Sequence, residues 1–160
     1  MTVAQFKTDL EKAQEVELYI CDALNNLPSI YRFEWVGADA QCYHKGDIKA
    51  TRYDGKEIYL EIKCDSRIHE TYNVLCEENV LYYETYTTTI GNMYSDYEIY
   101  CVYSPISHVL YFIDFKVMKD IYKRLGEWKI LKHSQQESEV YLLSIGFIKK
   151  NGGLLYKLNL

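Results

Sequence analysis

Asp47, Glu61 and Lys63 are the residues whose types and order suggest chemistry in this chain. An aspartate followed at a distance by Glu-x-Lys is the order used by phosphodiester-cleaving metal sites. Carboxylates are the hard oxygen ligands that Mg²⁺ or Mn²⁺ prefers, and a lysine beside them can orient a water or offset phosphate charge. As a pattern of letters this is weak. Its physical content is strand parity: Glu61 and Lys63, two apart, project from the same face of a strand.

Whether Asp47 joins them depends on the Asp54-Gly55 turn between a strand over His44 to Arg52 and another over Lys56 to Lys63. A two-residue loop would place Asp47 opposite Ile62 and mix apolar with charged residues on both faces. A three-residue loop of Tyr53, Asp54 and Gly55, with Gly55 left-handed, pairs Arg52 with Lys56 and sets Asp47 opposite Glu61. Ile48 then faces Leu60 and Ala50 faces Ile58, with Ile62 on the same side. A slip of one residue exchanges the faces, so the apolar pattern selects the register that also gathers the carboxylates. The competing reading of these residues is an exposed polar face with a cross-strand ion pair.

The elements around this hairpin follow from periodicity. Val3, Phe6, Leu10, Ala13, Val16, Ile20 and Leu24 recur at helical steps, predicting an amphipathic helix that Asn25, Asn26 and Pro28 end. Glu17 falls within that stripe, where a carboxylate needs a partner or a metal, unless it sits at the stripe's edge and reaches solvent. Tyr31 to Val36 alternates as a strand and leads into a small, polar loop through Gly37 and Asp39. Val74 to Tyr83, Glu98 to Tyr103 and Val109 to Ile113 read as further strands. Asp114 is placed to cap a helix reaching about Leu125. The tail from Val140 to Leu158 reads as a hairpin around Asn151-Gly152-Gly153.

The segment running from Glu61-Ile62-Lys63-Cys64-Asp65 through His69-Glu70-Thr71-Tyr72-Asn73 to Glu77 resembles the signature of phage-type nucleases in the PD-(D/E)xK superfamily. Those proteins show an E-V-K-T-D stretch, then H-x-T-G-N and an acidic residue. The likeness extends through the Tyr97 to Tyr103 strand and the Leu110 to Leu125 strand–helix unit, with its specific part in the centre. Two positions depart from the pattern. Gly46 stands where a proline usually precedes the aspartate, and Tyr72 replaces the glycine of H-x-T-G-N, where a positive φ is unfavourable for a tyrosine. The resemblance implies a restriction-endonuclease-like α/β core, a mixed β-sheet flanked by α-helices, with a glutamate from the first helix at the site. Glu17 fits that position.

On this reading residues 1–160 form a single domain that hydrolyses phosphodiester bonds, most readily in DNA, with Mg²⁺ or Mn²⁺. Asp47 and Glu61 bind the ion, the Ile62 carbonyl completes the site, Glu17 holds a second ion or anchors the first through water, and Lys63 serves the reaction. Lys45, Lys49, Asp65, Arg67, His69 and Asn73 are candidate nucleic-acid or supporting residues. The alternatives are an RNA-directed nuclease, or a catalytically silent nucleic-acid-binding or protein-binding module on the same fold. A homodimer is compatible with each.

Composition narrows the field. A length of 160 residues, 48% of them apolar, suits one packed core. No apolar run reaches the roughly 18 residues of a membrane span, and the polar N-terminus lacks a signal-peptide core, so a cytoplasmic protein is expected, in the host cytoplasm if phage-encoded. Five cysteines without a C-x-x-C pair argue against a disulfide framework or a structural zinc site and read as small core residues. A net charge of −5 means that any nucleic-acid contact must be local. The 17 tyrosines offer stacking platforms for unpaired bases, although half-buried sheet surfaces account for them more simply.

Overall fold

The computed structural model describes the backbone of residues 3–160 and the side chains of residues 8–160. Helix α1 (Val3–Asn25) has its inward stripe at Val16, Ile20, Cys21 and Leu24, whereas Leu10 and Ala13 are exposed. The expected stripe therefore turns inward only from Val16, and the side chains of Val3 and Phe6 lie outside the described residues. Asn25 ends the helix and takes both the N–H and the carbonyl of Phe33 through its side-chain amide, at 3.0 and 2.8 Å. That bond pair fixes the helix against the strand that follows.

The chain continues through β1 (Tyr31–Trp35), β2 (Ile48–Arg52), β3 (Glu57–Cys64), a short α2 (Ile68–Thr71), β4 (Asn73–Tyr82), β5 (Thr87–Ile90), β6 (Ile99–Ser104) and β7 (Val109–Asp114). Then come α3 (Phe115–Leu125), β8 (Glu127–Lys132), β9 (Gln136–Ser144), α4 (Ile145–Lys150) and β10 (Leu154–Asn159). Six strands form a mixed sheet in the order β1-β2-β3-β6-β7-β10, in which only β3 and β6 run parallel. The other four form an antiparallel sheet, β5-β4-β9-β8.

The mixed sheet buries both faces, as its alternating side chains show. Ile48, Ala50, Leu60, Ile62, Cys101 and Leu110 pack with α1 on one side. Tyr100, Val102, Tyr111 and Ile113 pack on the other with α3, α4 and the second sheet. The fold is thus mixed α/β with helices on the sheet, as expected, but a second sheet forms part of the layer where helices alone were anticipated. Among the described residues, no helix is long and apolar enough to cross a membrane. Four cysteines are buried core residues, but Cys64 is exposed, contrary to expectation.

Asp114 caps α3 as predicted, accepting from the amides of Lys116 and Val117. The tail is a correction. Its two strands do not pair with each other, since β9 joins the second sheet and β10 joins β7 of the first. Ser144 caps α4 by accepting from the Gly146 amide at 3.1 Å, and Ile145 and Ile148, three apart, bury themselves in the core. The Ser144 cap opens a helix inside the apolar run, so the expected hairpin does not form.

Tyr72 also differs from expectation. It adopts the left-handed conformation, with φ 52, and closes α2 by donating its amide to the Ile68 carbonyl at 2.9 Å. Its own carbonyl accepts from the Ile145 amide at 2.8 Å. These two bonds hold a conformation that a tyrosine disfavours in isolation.

Gly46 sets up the start of β2, which begins later than the sequence suggested. Its φ is +141, closed to proline, and a Cβ placed there would lie 2.6 Å from the Leu60 carbonyl oxygen. Gly46→Ala should therefore destabilise the protein by about 2 kcal/mol or more, combining backbone strain with a clash against main chain. Urea unfolding would check this; an unchanged midpoint would mean that the backbone here shifts freely.

Candidate active site

The hairpin turn has the three-residue form. The Arg52 amide donates to the Lys56 carbonyl at 2.8 Å, Gly55 has φ 87, and Ile48 pairs with Leu60 and Ala50 with Ile58. Asp47 therefore stands opposite Glu61. The β2 ladder stops at Ile48 while β3 continues to Cys64, so the end of β3 is open on that side. Asp47 closes the gap in two ways. Its amide donates to the Leu60 carbonyl at 2.8 Å, and its Oδ2 accepts from the Ile62 amide at 2.9 Å.

Glu61 is only 7% exposed, and its Oε1 lies 2.6 Å from the Nζ of Lys63. Glu17 reaches the same place from α1, with its Oε2 accepting from the indole N–H of Trp35 at 2.8 Å. Gly37 leaves room for that bond, since a Cβ there would sit 2.7 Å from both bonded atoms. Glu17, Asp47, Glu61 and Lys63 line one cleft of about 390 Å³ together with the Ile90 to Ser95 segment, whereas Ile62, the candidate for its carbonyl, is a buried core residue outside that lining.

The electrostatics follow from three carboxylates sharing one lysine. Burial pushes the Asp47 carboxyl up to about 8, reinforced by the charges of Glu61 and Glu17, although the Ile62 amide and Lys63 pull the other way. Glu17 is raised by burial and by Glu61, against the pull of Trp35 and Lys63. Burial opposes the charge on Lys63, but Glu61 outweighs it and the ammonium is held above its usual range. With all three carboxyls ionised the cleft would hold more negative charge than its own cation can balance, and a divalent ion would relieve that imbalance.

Among the described residues, no three His, Cys, Asp or Glu side chains are grouped so as to hold an ion. Two carboxylates with a backbone carbonyl still suit Mg²⁺, which keeps several waters and is commonly bound by one or two protein carboxylates.

The supporting candidates lie elsewhere. Lys49 pairs with Glu34 at 3.2 Å, and the Nζ of Lys45 sits 5.4 Å from the centre of the Tyr59 ring. Asp65 accepts from the Arg67 amide at 2.7 Å to form the turn before α2. His69 lies 3.4 Å from Glu70 and its buried Nδ1 has no partner among the described residues, while Asn73 opens β4. None of these six lines the cleft around Asp47. Asp65 instead borders a neighbouring recess with Lys63, Glu77 and Asn92.

Sequence reasoning missed Trp35, which holds Glu17, and Tyr97 and Asn92, which line the cleft. Trp35 was visible only as an alternating strand residue; its indole N–H becomes informative once a carboxylate is known to face it. No protein-family model, curated protein or solved structure matches this chain.

Proposed function

We propose that this chain is a metal-dependent nuclease that hydrolyses phosphodiester bonds, most readily in DNA, on the pattern of the PD-(D/E)xK enzymes. The observation that carries this reading is the hairpin register, which sets Asp47 and Glu61 on one face with Lys63 bonded to Glu61. Asp47, Glu61 and the Ile62 carbonyl would hold Mg²⁺ or Mn²⁺, with Glu17 behind them. When bound, such an ion polarises a phosphoryl oxygen and lowers the pKa of a bound water. Lys63 anchors Glu61, and its side chain remains 44% exposed, so its free N–H groups can orient the nucleophilic water or meet charge developing on the phosphate. Trp35 keeps the Glu17 carboxylate turned into the cleft.

The decisive experiment is incubation of single-stranded, duplex and branched DNA, and of RNA, with Mn²⁺ beside an Asp47→Asn control. Cleavage that disappears in the control is expected; none with any substrate would overturn the reading. Glu17→Gln should keep its bond to Trp35 and the fold while weakening Mn²⁺ binding by about tenfold, the usual scale for a group behind the direct ligands. Calorimetry would show this, and unaltered affinity would remove Glu17 from the site.

One observation favours a second reading, a catalytically silent binding module. Each carboxylate already has an internal partner: the Ile62 amide for Asp47, Lys63 for Glu61 and Trp35 for Glu17. Such a module need not bind Mn²⁺ in an Asp47-dependent way, so the same calorimetry separates the two.

A further inference from the structure

We propose, building on the nuclease reading of this cleft, that its substrate is an unpaired DNA strand whose bases stack on Tyr43 and Tyr94 at the mouth. The first argument is size. At about 390 Å³, the cleft falls in the range of small-molecule pockets, roughly 300–1,000 Å³, and admits a nucleotide rather than a length of double helix. Its acidic groups also lie deep, with Glu61 only 7% exposed. A duplex is a stiff rod, and bringing one of its phosphates into such a recess requires a costly deformation. A single strand can bend in.

The second argument is the rim. Tyr43 is 79% exposed and Tyr94 51% exposed, and both border the cleft, as does Ile90. The His44 ring packs against Tyr43 at 4.7 Å in an edge-on arrangement, which braces it. The hydroxyl of Tyr94 is bonded to Glu78, which fixes that ring, and the Asp96 amide donates to the His44 carbonyl at 3.4 Å, which ties the two tyrosine segments together. Two braced aromatic rings above an acidic floor are the parts of a stacking platform, and stacking tolerates any base because every base has a π-face.

The third argument is charge. Among the described residues, Lys63 is the only lysine or arginine lining the cleft, against the carboxylates of Glu17, Asp47 and Glu61. The nearby Lys49 is paired with Glu34, and Lys45 lies over Tyr59. A protein that held DNA through its phosphates would line the path with cations. Here affinity must come from the bases and from the metal.

The test is fluorescence anisotropy in Ca²⁺, comparing a labelled 12-nucleotide strand, the same sequence as a hairpin duplex, and an abasic strand of equal length. The single strand should bind at least tenfold more tightly than the duplex. Tyr43→Ala should weaken single-strand binding by about tenfold, within the range of one lost stacking partner, and Tyr43→Trp should restore it. The abasic strand should bind weakly and ignore Tyr43→Ala. Affinity should fall with salt no more steeply than two phosphate contacts require, a slope of about −1.4. Duplex binding as tight as single-strand binding, or a Tyr43→Ala protein as tight as wild type, would overturn the proposal. Equal Asp47-dependent cleavage of duplex and single strand would sink it while leaving the nuclease reading intact. Absence of Asp47-dependent cleavage would sink the nuclease reading instead, and the binding comparison would still decide whether the rim takes unpaired bases.

Discussion

A Lys63→Met protein should bind Mn²⁺ at least as tightly as wild type and yet cleave at least about 10²-fold more slowly. The loss is that expected when a group meeting charge in the transition state is removed, roughly 10²–10³ in rate. Affinity should hold because the lysine cannot ligate a cation and its positive charge repels one. The structure adds a second consequence. Glu61 is 7% exposed and Lys63 is its partner at 2.6 Å, so the methionine leaves a buried carboxylate without a counter-charge. The metal-free variant should lose about 1–2 kcal/mol, less than for a fully enclosed pair because the lysine side chain is 44% exposed. Mn²⁺ would replace the missing charge, so it should raise the melting temperature of the variant more than that of wild type. Thermal melts with and without Mn²⁺, beside single-turnover cleavage, measure both effects. Wild-type cleavage by Lys63→Met would leave this residue a mere sheet-surface partner of Glu61.

The hairpin was the most legible part of the molecule because two physical demands coincided there. Burying Ile48, Ala50, Leu60 and Ile62 together permits only one register, and that register turns Asp47 and Glu61 to the other face. Glu17 was legible for a related reason: a carboxylate in an apolar stripe must meet something, and here it meets Trp35 and the cleft. The second sheet was harder to see. Thr87 to Ile90 is exposed and carries no apolar alternation, and Glu127 to Lys132 alternates only briefly, at Trp128 and Ile130, which leaves periodicity little to register. In the tail, Ile145 and Ile148 lie in one apolar run with the preceding strand, so a break into a helix depends on the Ser144 cap and not on hydrophobicity. The wall formed by Asn92, Tyr94 and Tyr97 depends on how the turn after β5 brings these residues to the Glu61 and Lys63 end of β3. That long-range placement leaves no mark in local spacing.

Asp47→Asn should be more stable than wild type in metal-free buffer at pH 8, and less stable once Mn²⁺ is added. Burial, with the charges of Glu61 and Glu17, pushes the Asp47 carboxyl up to about 8 in the folded protein, against an ordinary 3.8. Between these values the folded state binds more protons than the unfolded state, so stability falls as pH rises across that window. Asparagine carries no charge, retains an oxygen to accept from the Ile62 amide, and escapes this loss. The two proteins should therefore melt together near pH 4 and diverge as pH rises, with the variant about 5 °C higher at pH 8, where a few kcal/mol corresponds to several degrees for a chain of this size. Saturating Mn²⁺ inverts the order. At a hundred times its dissociation constant a ligand stabilises the folded state by about 2.7 kcal/mol, and only wild type retains the carboxylate needed to claim that stabilisation. The titrating groups remote from Asp47 are common to both proteins and cancel in the difference. A variant that melts lower than wild type at pH 8 without metal would show that Asp47 serves chiefly as an acceptor closing the end of the β2 ladder. A variant that gains as much from Mn²⁺ as wild type would place the cation elsewhere.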